Sequence, residues 1–214
     1  MKKLSVFMIA MLLFSGCTHY KSQYVSFRPP EAYVNHVEQA GVSLGGEAYA
    51  SQEAAEKAFG FDIKGAGLLP VMLVMDNKSG KTLELMAGQT FLVDEGGNYW
   101  PMVPNKVAFD RLESSTQFAS FFGKGAGKGA AIGAAGGAII GGTQEGTSGD
   151  REARISEDLR SKGLEGRPIP GDSLSNGFIF FPGEAPSARE LRLQWRERET
   201  GQVQKLVLPL DVRK

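Results

Sequence analysis

Apolar runs bounded by turn-forming residues divide much of this chain into short strands. Residues 68–75 are almost wholly apolar and end at the turn-forming run 76–80, a pattern that predicts a strand buried on both faces. Residues 42–49 predict an earlier strand, interrupted by Gly45 and Gly46 because glycine weakens a strand interior. The first part of the chain is therefore expected to supply the centre of a sheet.

Shorter strands follow, and their spacing favours antiparallel pairing. Residues 83–85 alternate between apolar and polar, and residues 90–93 end at the turn-forming run 94–97. Residues 99–103 continue beyond that turn and are predicted to pair back on 90–93. Pro101 places this strand at the edge of its sheet, because proline has no N–H to donate.

Strands resume near the end of the chain. Residues 177–182 form an apolar run, and in residues 191–196 leucine and tryptophan alternate with arginine and glutamine. The alternation predicts a half-buried strand with its arginines on the wet face. Residues 203–208 follow the turn 199–201 and are predicted to pair back on it.

Two helices are also predicted. Residues 52–59 are good helix formers, with Ser51 as the N-cap and Gly60 as the C-terminal stop. Residues 150–162 are mostly charged and polar, which predicts a short, solvated helix. Its apolar positions are Ala153, Ile155 and Leu159.

These elements predict a mainly β protein with a helical insertion, of the α+β class. Residues 41–105 and 173–214 are predicted to form the two halves of one antiparallel β-sandwich, and residues 106–172 a helical insertion between them. The strand spacing resembles the immunoglobulin-like sandwiches of secreted bacterial proteins, which is a resemblance of fold alone.

A block of glycine and alanine lies inside the predicted insertion. Between residues 123 and 142, nine of the 20 residues are glycine and six are alanine. Five glycines recur every fourth residue, so on a helix they form one stripe that another backbone can approach closely. They are Gly125, Gly129, Gly133, Gly137 and Gly141. Because each helical glycine costs about 1 kcal/mol relative to alanine, such a helix needs a partner or a membrane.

The stripe resembles the glycine-zipper segments of bacterial envelope lipoproteins, and the resemblance covers only this block. It implies a packed helix used for self-association or membrane contact. We expect a helical hairpin with residues 150–162 in its second arm, because one membrane pass would separate the two halves of the sandwich. A flexible glycine-rich loop is the alternative that composition allows. The regular register, with no Ser, Asn, Asp or Pro in the block, favours the helix.

The start of the chain has the features of an export signal. Two lysines precede an apolar run, residues 4–14, that is too short for an ordinary membrane span, and small residues lead to Cys17, the only cysteine. This arrangement resembles the lipobox of bacterial lipoproteins, except that Phe14 stands where leucine is usual. The resemblance implies cleavage of residues 1–16 and acylation of Cys17. An ordinary signal followed by an unmodified cysteine is the alternative.

The lipoprotein resemblance also implies a destination and partners. Thr18 follows the cysteine, and lipoproteins of Gram-negative bacteria that lack Asp at this position are expected in the outer membrane, here on its periplasmic face. The expected contacts are the membrane through the lipid anchor, further copies of the chain, and an envelope protein of unknown identity. Residues 17–40 contain Pro29 and Pro30 and are predicted to form an extended tether.

Composition counts against several other classes. The chain has 24 basic and 24 acidic side chains, so it has no basic footprint for nucleic acid. A single cysteine excludes an internal disulfide and a cysteine-based zinc site. His19 and His36 have no evident catalytic partner, and residues 124–129 lack the spacing of a phosphate loop. No catalytic residue, metal ligand or cofactor is therefore predicted, apart from the lipid on Cys17.

Two functions remain open. The first is a non-enzymatic, lipid-anchored envelope lipoprotein that uses a glycine-zipper insertion for self-association or membrane contact, similar in architecture to the surface-exclusion lipoproteins of conjugative plasmids. The alternative is an envelope binding module whose sandwich holds a peptide, a glycan or a secretion-machinery partner. An exposed sheet edge or an aromatic groove would favour the second. Trp100 and Trp195 are expected in the core, and the arginines and glutamates of residues 189–199 are expected to neutralise one another.

Overall fold

The computed structural model describes residues 22–115 and 148–212, which form a mainly β protein with two sheets. The strands are β1 (Val37–Gln39), β2 (Val42–Ala48), β3 (Leu68–Asn77), β4 (Leu83–Leu85), β5 (Phe91–Val93), β6 (Tyr99–Pro101), β7 (Ser173–Pro182), β8 (Glu190–Glu197), β9 (Val203–Pro209) and β10 (Asp211–Val212). The helices are α1 (Gln52–Phe59), α2 (Asn105–Glu113) and α3 (Ser148–Lys162), and 3-10 turns cover Pro30–Ala32 and Ala87–Gln89.

The first sheet, here called the central sheet, has the order β1-β2-β3-β7 with antiparallel neighbours. Its longest pairing joins β3 to β7 along both strands, from Leu68 opposite Pro182 to Asn77 opposite Ser173. β10 adds a short parallel pairing to the end of β2. The β3–β7 pairing therefore joins the strand group before the glycine block directly to the group after it.

The second sheet, here called the outer sheet, is built around β8. β9 pairs along one edge of β8, while β4 and β5 pair in succession with the other edge. The 3-10 turn Ala87–Gln89 separates β4 from β5, so the two act as one interrupted strand. β6 pairs with β5 at the edge of the sheet, which confirms the antiparallel pair and the edge position predicted from Pro101.

The side chains of β3 alternate between two separate apolar cores. Those on one face share a core with Leu193 and Trp195 of the outer sheet; they are Leu69, Val71, Leu73 and Met75. Those on the other face share a core with Phe59 of α1, Leu112 of α2 and Ile155 of α3; they are Leu68, Met72 and Val74. The prediction that this strand is buried on both faces is confirmed, and helices supply the second cover.

β7 repeats the alternation. Phe178 and Phe180 belong to the core on the side of the helices, whereas Ile179 and Phe181 belong to the core between the sheets. The molecule therefore has three layers: a helical layer formed by α1, α2 and α3, then the central sheet, then the outer sheet.

The helical layer includes the helices on either side of residues 116–147, both of which fall in the predicted insertion, residues 106–172. The sequence predicts α3 as a solvated helix, but Ile155 and Leu159 are 1% and 2% exposed. They pack against the central sheet together with Ala108 and Leu112 of α2. These helices cover a sheet face that a two-layer sandwich would leave in contact with water.

The chain that follows α3 also enters the core. Leu164 and Ile169 are fully buried between the two sheets. The buried side chain of Asn77 holds the end of this segment, because its Nδ2 donates to the carbonyl oxygens of Ile169 at 3.3 Å and Pro170 at 2.8 Å. Residues 163–172, predicted as part of the insertion, thus contribute to the packing of the two sheets.

Helix α1 forms as its sequence predicts. Ser51 Oγ accepts a hydrogen bond from the backbone N–H of Ala54 at 3.2 Å, which is the expected N-cap. Gly60 adopts a left-handed conformation with φ 77°, and its N–H donates to the carbonyl of Glu56 at 2.7 Å. Both predicted caps are confirmed.

Strand β2 runs unbroken through Gly45 and Gly46, where the sequence predicts an interruption. A Cβ on Gly45 would lie 2.8 Å from Tyr33 Cδ2, and a Cβ on Gly46 would lie 2.5 Å from the carbonyl oxygen of Met72. The two glycines therefore allow close approach of a buried aromatic ring and of the neighbouring strand, which offsets their weak strand propensity.

The described part of the predicted tether packs against the body. Tyr33 is 2% exposed, and the guanidinium of Arg28 lies 4.6 Å from its ring centroid. Val25 packs on the core beneath the helical layer, and Val37 begins a strand that pairs with β2. Residues 22–39 are thus held by packing and strand pairing, in contrast to the extended spacer that the two prolines predict.

Two outer strands have side chains or loops bound along their free edges. Along β7, the backbone N–H groups of Val103 and Leu164 donate to strand carbonyls at 2.7 and 2.8 Å, and Arg167 donates to a third carbonyl. Along β9, the amides of Asn35 and Gln39 donate to strand carbonyls at 2.5 and 2.9 Å. These contacts oppose the addition of another strand at these edges.

Phe180 and Phe181 allow a test of the three layers, because they lie on opposite faces of the central sheet. We expect Phe180→Ala and Phe181→Ala each to lower the free energy of unfolding by about 3–5 kcal/mol, since each leaves a cavity in a closed core. Leu174→Ala on the same strand, where the side chain is 50% exposed, should change it by less than about 0.5 kcal/mol. Urea unfolding followed by circular dichroism measures the three values, and a small effect of Phe180→Ala alone would contradict the helical cover.

Candidate functional site

The functional residues predicted from the sequence lie outside the described residues. They are Cys17 and the stripe glycines Gly125, Gly129, Gly133, Gly137 and Gly141. The structure does describe the parts of the chain that flank them, namely the segment from Ser22 onward and the helices α2 and α3 on either side of residues 116–147. These flanking parts meet on the helical layer.

A buried ion pair at the end of α3 lies beside the end of α1. Lys162 Nζ is 2.7 Å from Asp158 Oδ2, and the two side chains are only 13% and 7% exposed. The same ammonium lies 5.3 Å from the ring centroid of Phe59 and 3.5 Å from the carbonyl oxygen of Ala58. The pair therefore ties the last turn of α3 to the last turn of α1.

The first described residues are seated on this junction. Ser22 Oγ donates a hydrogen bond to Asp158 Oδ1, the second oxygen of the carboxylate that binds Lys162. Gln23 lines a shallow groove beside α1, and residues 24–26 line a second groove along the same helix. Residues 22–26 thus run across α3 and α1.

Helix α2 is fastened to the body at both ends. At its start, the backbone N–H of Asn105 donates to Glu165 Oε2 at 2.5 Å, three residues after the end of α3. Near its end, Arg111 Nη1 donates to the carbonyl of Gly67 at 2.8 Å and lies 3.1 Å from Glu184. A hydrogen bond from its own backbone N–H, supported by Arg111, lowers the pKa of Glu184. The start of α2 therefore lies beside the end of α3.

The helical layer is thus the place from which the chain leaves for residues 116–147 and to which it returns. In the described ranges, 22–115 and 148–212, no helix has the length and apolar character needed to cross a membrane.

The same ranges contain no cluster of three His, Cys, Asp or Glu side chains placed to bind a metal ion. His36, which the sequence singles out, is exposed, and its Nδ1 lies 3.3 Å from the carbonyl oxygen of Tyr33.

The exposed face of the outer sheet carries a second feature, here called the Tyr99 patch and formed by Phe91, Tyr99, Glu190 and Arg192. Tyr99 is 51% exposed, and its ring meets Phe91 edge-to-face with centroids 6.0 Å apart. The guanidinium carbon of Arg192 lies 5.0 Å from the Tyr99 centroid. Arg192 also donates to Glu190 at 2.8 Å, and this bond lowers the pKa of Glu190. Aromatic residues with arginine are enriched at protein interfaces.

The other arginines of this face also pair with carboxylates, but only Arg189 does so within residues 189–199, as the sequence predicts for all of them. Arg189 lies 3.4 Å from Glu190, while Arg196 and Arg198 lie 3.1 and 2.7 Å from Glu84. The participation of Glu84 is not predictable from the charge run alone, because it comes from the distant strand β4. Such exposed ion pairs contribute at most about 1 kcal/mol each to the free energy of unfolding. They are typical of a face in contact with water.

The two tryptophans occupy different environments. Trp195 is 1% exposed in the core between the sheets, which confirms its predicted role. Trp100 is partly buried against that core, and its Nε1 donates to Asp94 Oδ2 at 2.9 Å. Hydrogen bonds from Trp100 and then Asn98 lower the pKa of the fully buried Asp94. Trp100 therefore helps to close the turn between β5 and β6.

Comparisons of the chain with protein-family models, with curated proteins and with solved structures found no match. The class of protein must therefore be inferred from the residues themselves. Two features of the described residues bear on it: the seating of residues 22–26 on the helical layer, and the Tyr99 patch on the opposite face.

The buried ion pair gives a test of the junction. Asp158→Asn should lower the free energy of unfolding by about 3 kcal/mol or more, because it leaves the buried ammonium of Lys162 without a counter-charge. Replacing both charges, as Asp158→Leu with Lys162→Met, should cost much less, since no buried charge remains.

The exposed pair of Glu157 and Arg160, whose side chains are 64% and 74% exposed, provides the control. Arg160→Ala should change stability by less than about 1 kcal/mol. Denaturant unfolding compares the variants. If the two ion pairs proved equally costly to break, the junction would not be the buried contact described above.

Proposed function

We propose that this chain is a non-enzymatic envelope lipoprotein, anchored in the outer membrane on its periplasmic face by acyl chains on Cys17. Residues 1–16 are its signal peptide. The two sheets form a sandwich of the immunoglobulin-like kind, and the glycine stripe from Gly125 to Gly141, within a helical hairpin, serves self-association or membrane contact. Burial of acyl chains contributes roughly 0.8 kcal/mol per methylene, so the anchor requires no spanning helix.

One arrangement carries this proposal. The N-terminal segment and both helices that flank residues 116–147 lie on the helical layer, since Ser22 binds Asp158 of α3, and α2 and α3 pack on the same face of the central sheet through Leu112 and Ile155. The described chain therefore begins, five residues after Cys17, on the same layer as the two helices that flank the segment with the glycine stripe. Contacts of the stripe with the membrane or with other anchored copies require this placement.

Lipidation is tested by Cys17→Ser. We expect this variant to lack acyl chains and to remain as an uncleaved precursor or a soluble form, because the thiol that accepts the lipid is gone. Mass spectrometry and detergent partitioning of the wild type and the variant measure this. Normal processing and unchanged partitioning of Cys17→Ser would contradict the anchor, and recovery of wild type chiefly in the inner membrane would contradict the proposed destination.

The glycine stripe is tested by two matched pairs of substitutions. Gly133→Leu and Gly137→Leu place bulk on the stripe and should abolish cross-linked assemblies in native membranes. Ala131→Leu and Ala135→Leu lie away from the stripe and should do less harm. Leucine is a better helix former than glycine, so lost assembly cannot come from lost helix propensity. Equal, unchanged adducts in all four variants would remove the stripe as an assembly element.

A second candidate function is an envelope binding module, and the Tyr99 patch is the observation that favours it. The patch combines an exposed aromatic ring with an arginine on a sheet face, as interfaces with peptides or other proteins commonly do. A photo-cross-linking residue in place of Tyr99 would test it in cells. A defined adduct with one envelope protein, lost on Arg192→Ala, would support this function, and the absence of adducts would count against it.

A further inference from the structure

We propose that the helical layer faces the lipid headgroups of the bilayer at short range, while the outer sheet points into the aqueous space. This inference rests on the proposed acylation of Cys17, and it adds which face of the body meets the membrane surface. Three observations support it: the short stretch between Cys17 and Ser22, the contacts of residues 22–26 with α1 and α3, and the order of the three layers.

The chain between Cys17 and Ser22 has a short maximum length. Cys17 precedes Ser22 by five residues. A fully extended chain spans at most about 3.3–3.6 Å per residue, so this stretch covers about 18 Å at most. Because Ser22 is bound to Asp158, helix α3 lies within that reach of the acylated residue. A tether that continued to residue 40 would instead allow roughly 80 Å, and the body could then take any orientation.

Residues 22–26 are held against the body at more than one point. Ser22 binds the carboxylate that also pairs with Lys162, and Val25 packs against the core beneath the helices. Residues 24–26 lie along α1 beside Ala54 and Ala58. Release of this segment would expose Val25 and take a hydrogen bond from a buried carboxylate, both of which cost free energy.

The exposed face of the outer sheet is distant from the helical layer. Packed sheets lie about 10 Å apart, and a helix with its side chains is about 10 Å across, so the exposed face of the outer sheet lies roughly 20 Å beyond the helical layer. Tyr99 and Val207, which are 51% and 47% exposed on the outer sheet, then lie far from the headgroups.

The charges on the helical layer do not favour one kind of lipid. Where the side chains of α1, α2 and α3 are described, four acidic and four basic residues are exposed; they are Glu53, Glu56, Asp110, Glu157, Lys57, Lys106, Arg154 and Arg160. Balanced charge gives little net attraction to anionic headgroups. The short connection to the anchor is therefore what sets the orientation, and salt should leave it unchanged.

Glu157→Cys and Lys205→Cys form a matched pair for the test. Both positions are exposed, the first on α3 and the second on β9. Because the chain has one cysteine and acylation occupies its thiol, each variant offers a single free thiol for a fluorophore. The full acylated protein is reconstituted into phosphatidylethanolamine–phosphatidylglycerol vesicles that contain a headgroup-nitroxide lipid, a short-range quencher. We expect several-fold stronger quenching at position 157 than at position 205, at low and at high salt.

A spacer variant tests the cause. About 20 flexible Gly/Ser residues inserted before Ser22 add a mean end-to-end distance of about 25 Å and should remove most of the excess quenching at position 157. Unchanged quenching in this variant overturns the proposal, because the orientation would not depend on the short connection.

The outcomes separate this inference from the proposed function. If the protein floats with the vesicles but position 205 is quenched as strongly as position 157, or more strongly, the orientation is wrong and the lipoprotein proposal stands. If the protein does not float with the vesicles, the anchoring itself is contradicted.

Discussion

Burial of both faces of the β3–β7 pair is the constraint on which the rest of the structure depends. The two strands pair along their full length, and their side chains alternate between two apolar cores. One further sheet can cover only one of these faces. An uncovered aromatic side chain such as Phe178 or Phe180 would forfeit about 1.5–3 kcal/mol of burial, so a second cover is needed. α1, α2 and α3 supply it, which makes the chain on either side of residues 116–147 part of the body.

Most strands and α1 could be predicted because their signals are local, whereas β1, in the predicted tether, and β10 could not. The apolar run in β3, the alternation in β8 and the caps Ser51 and Gly60 each act within a few residues. The continuation of strand β2 through Gly45 could not be predicted from local sequence. Glycine is favoured there by a tertiary contact with Tyr33. Helix α3 could be predicted as a helix but not as a buried one, since it is mostly charged and polar and its burial depends on few side chains, such as Ile155 and Leu159.

The candidate site also contains residues that the sequence identifies and contacts that only the structure reveals. Cys17 and the stripe glycines stand out by spacing alone, and they lie outside the described residues. The contact between Ser22 and Asp158 joins residues 136 positions apart, and nothing in the local sequence around a serine in a polar stretch identifies its partner. The Tyr99 patch likewise requires the register of β5, β6 and β8, which brings Phe91, Tyr99 and Arg192 onto one face.

The covered edges of β7 and β9 bear on how copies of this protein can combine. Open-ended polymers of β-rich proteins commonly grow by joining one sheet edge to the next. Here Val103, Leu164 and Arg167 occupy the carbonyls of one edge, and Asn35 and Gln39 occupy those of another. A crowd of these bodies on a membrane surface would resist fibre growth through those edges. Association of copies would then have to use other surfaces of the protein.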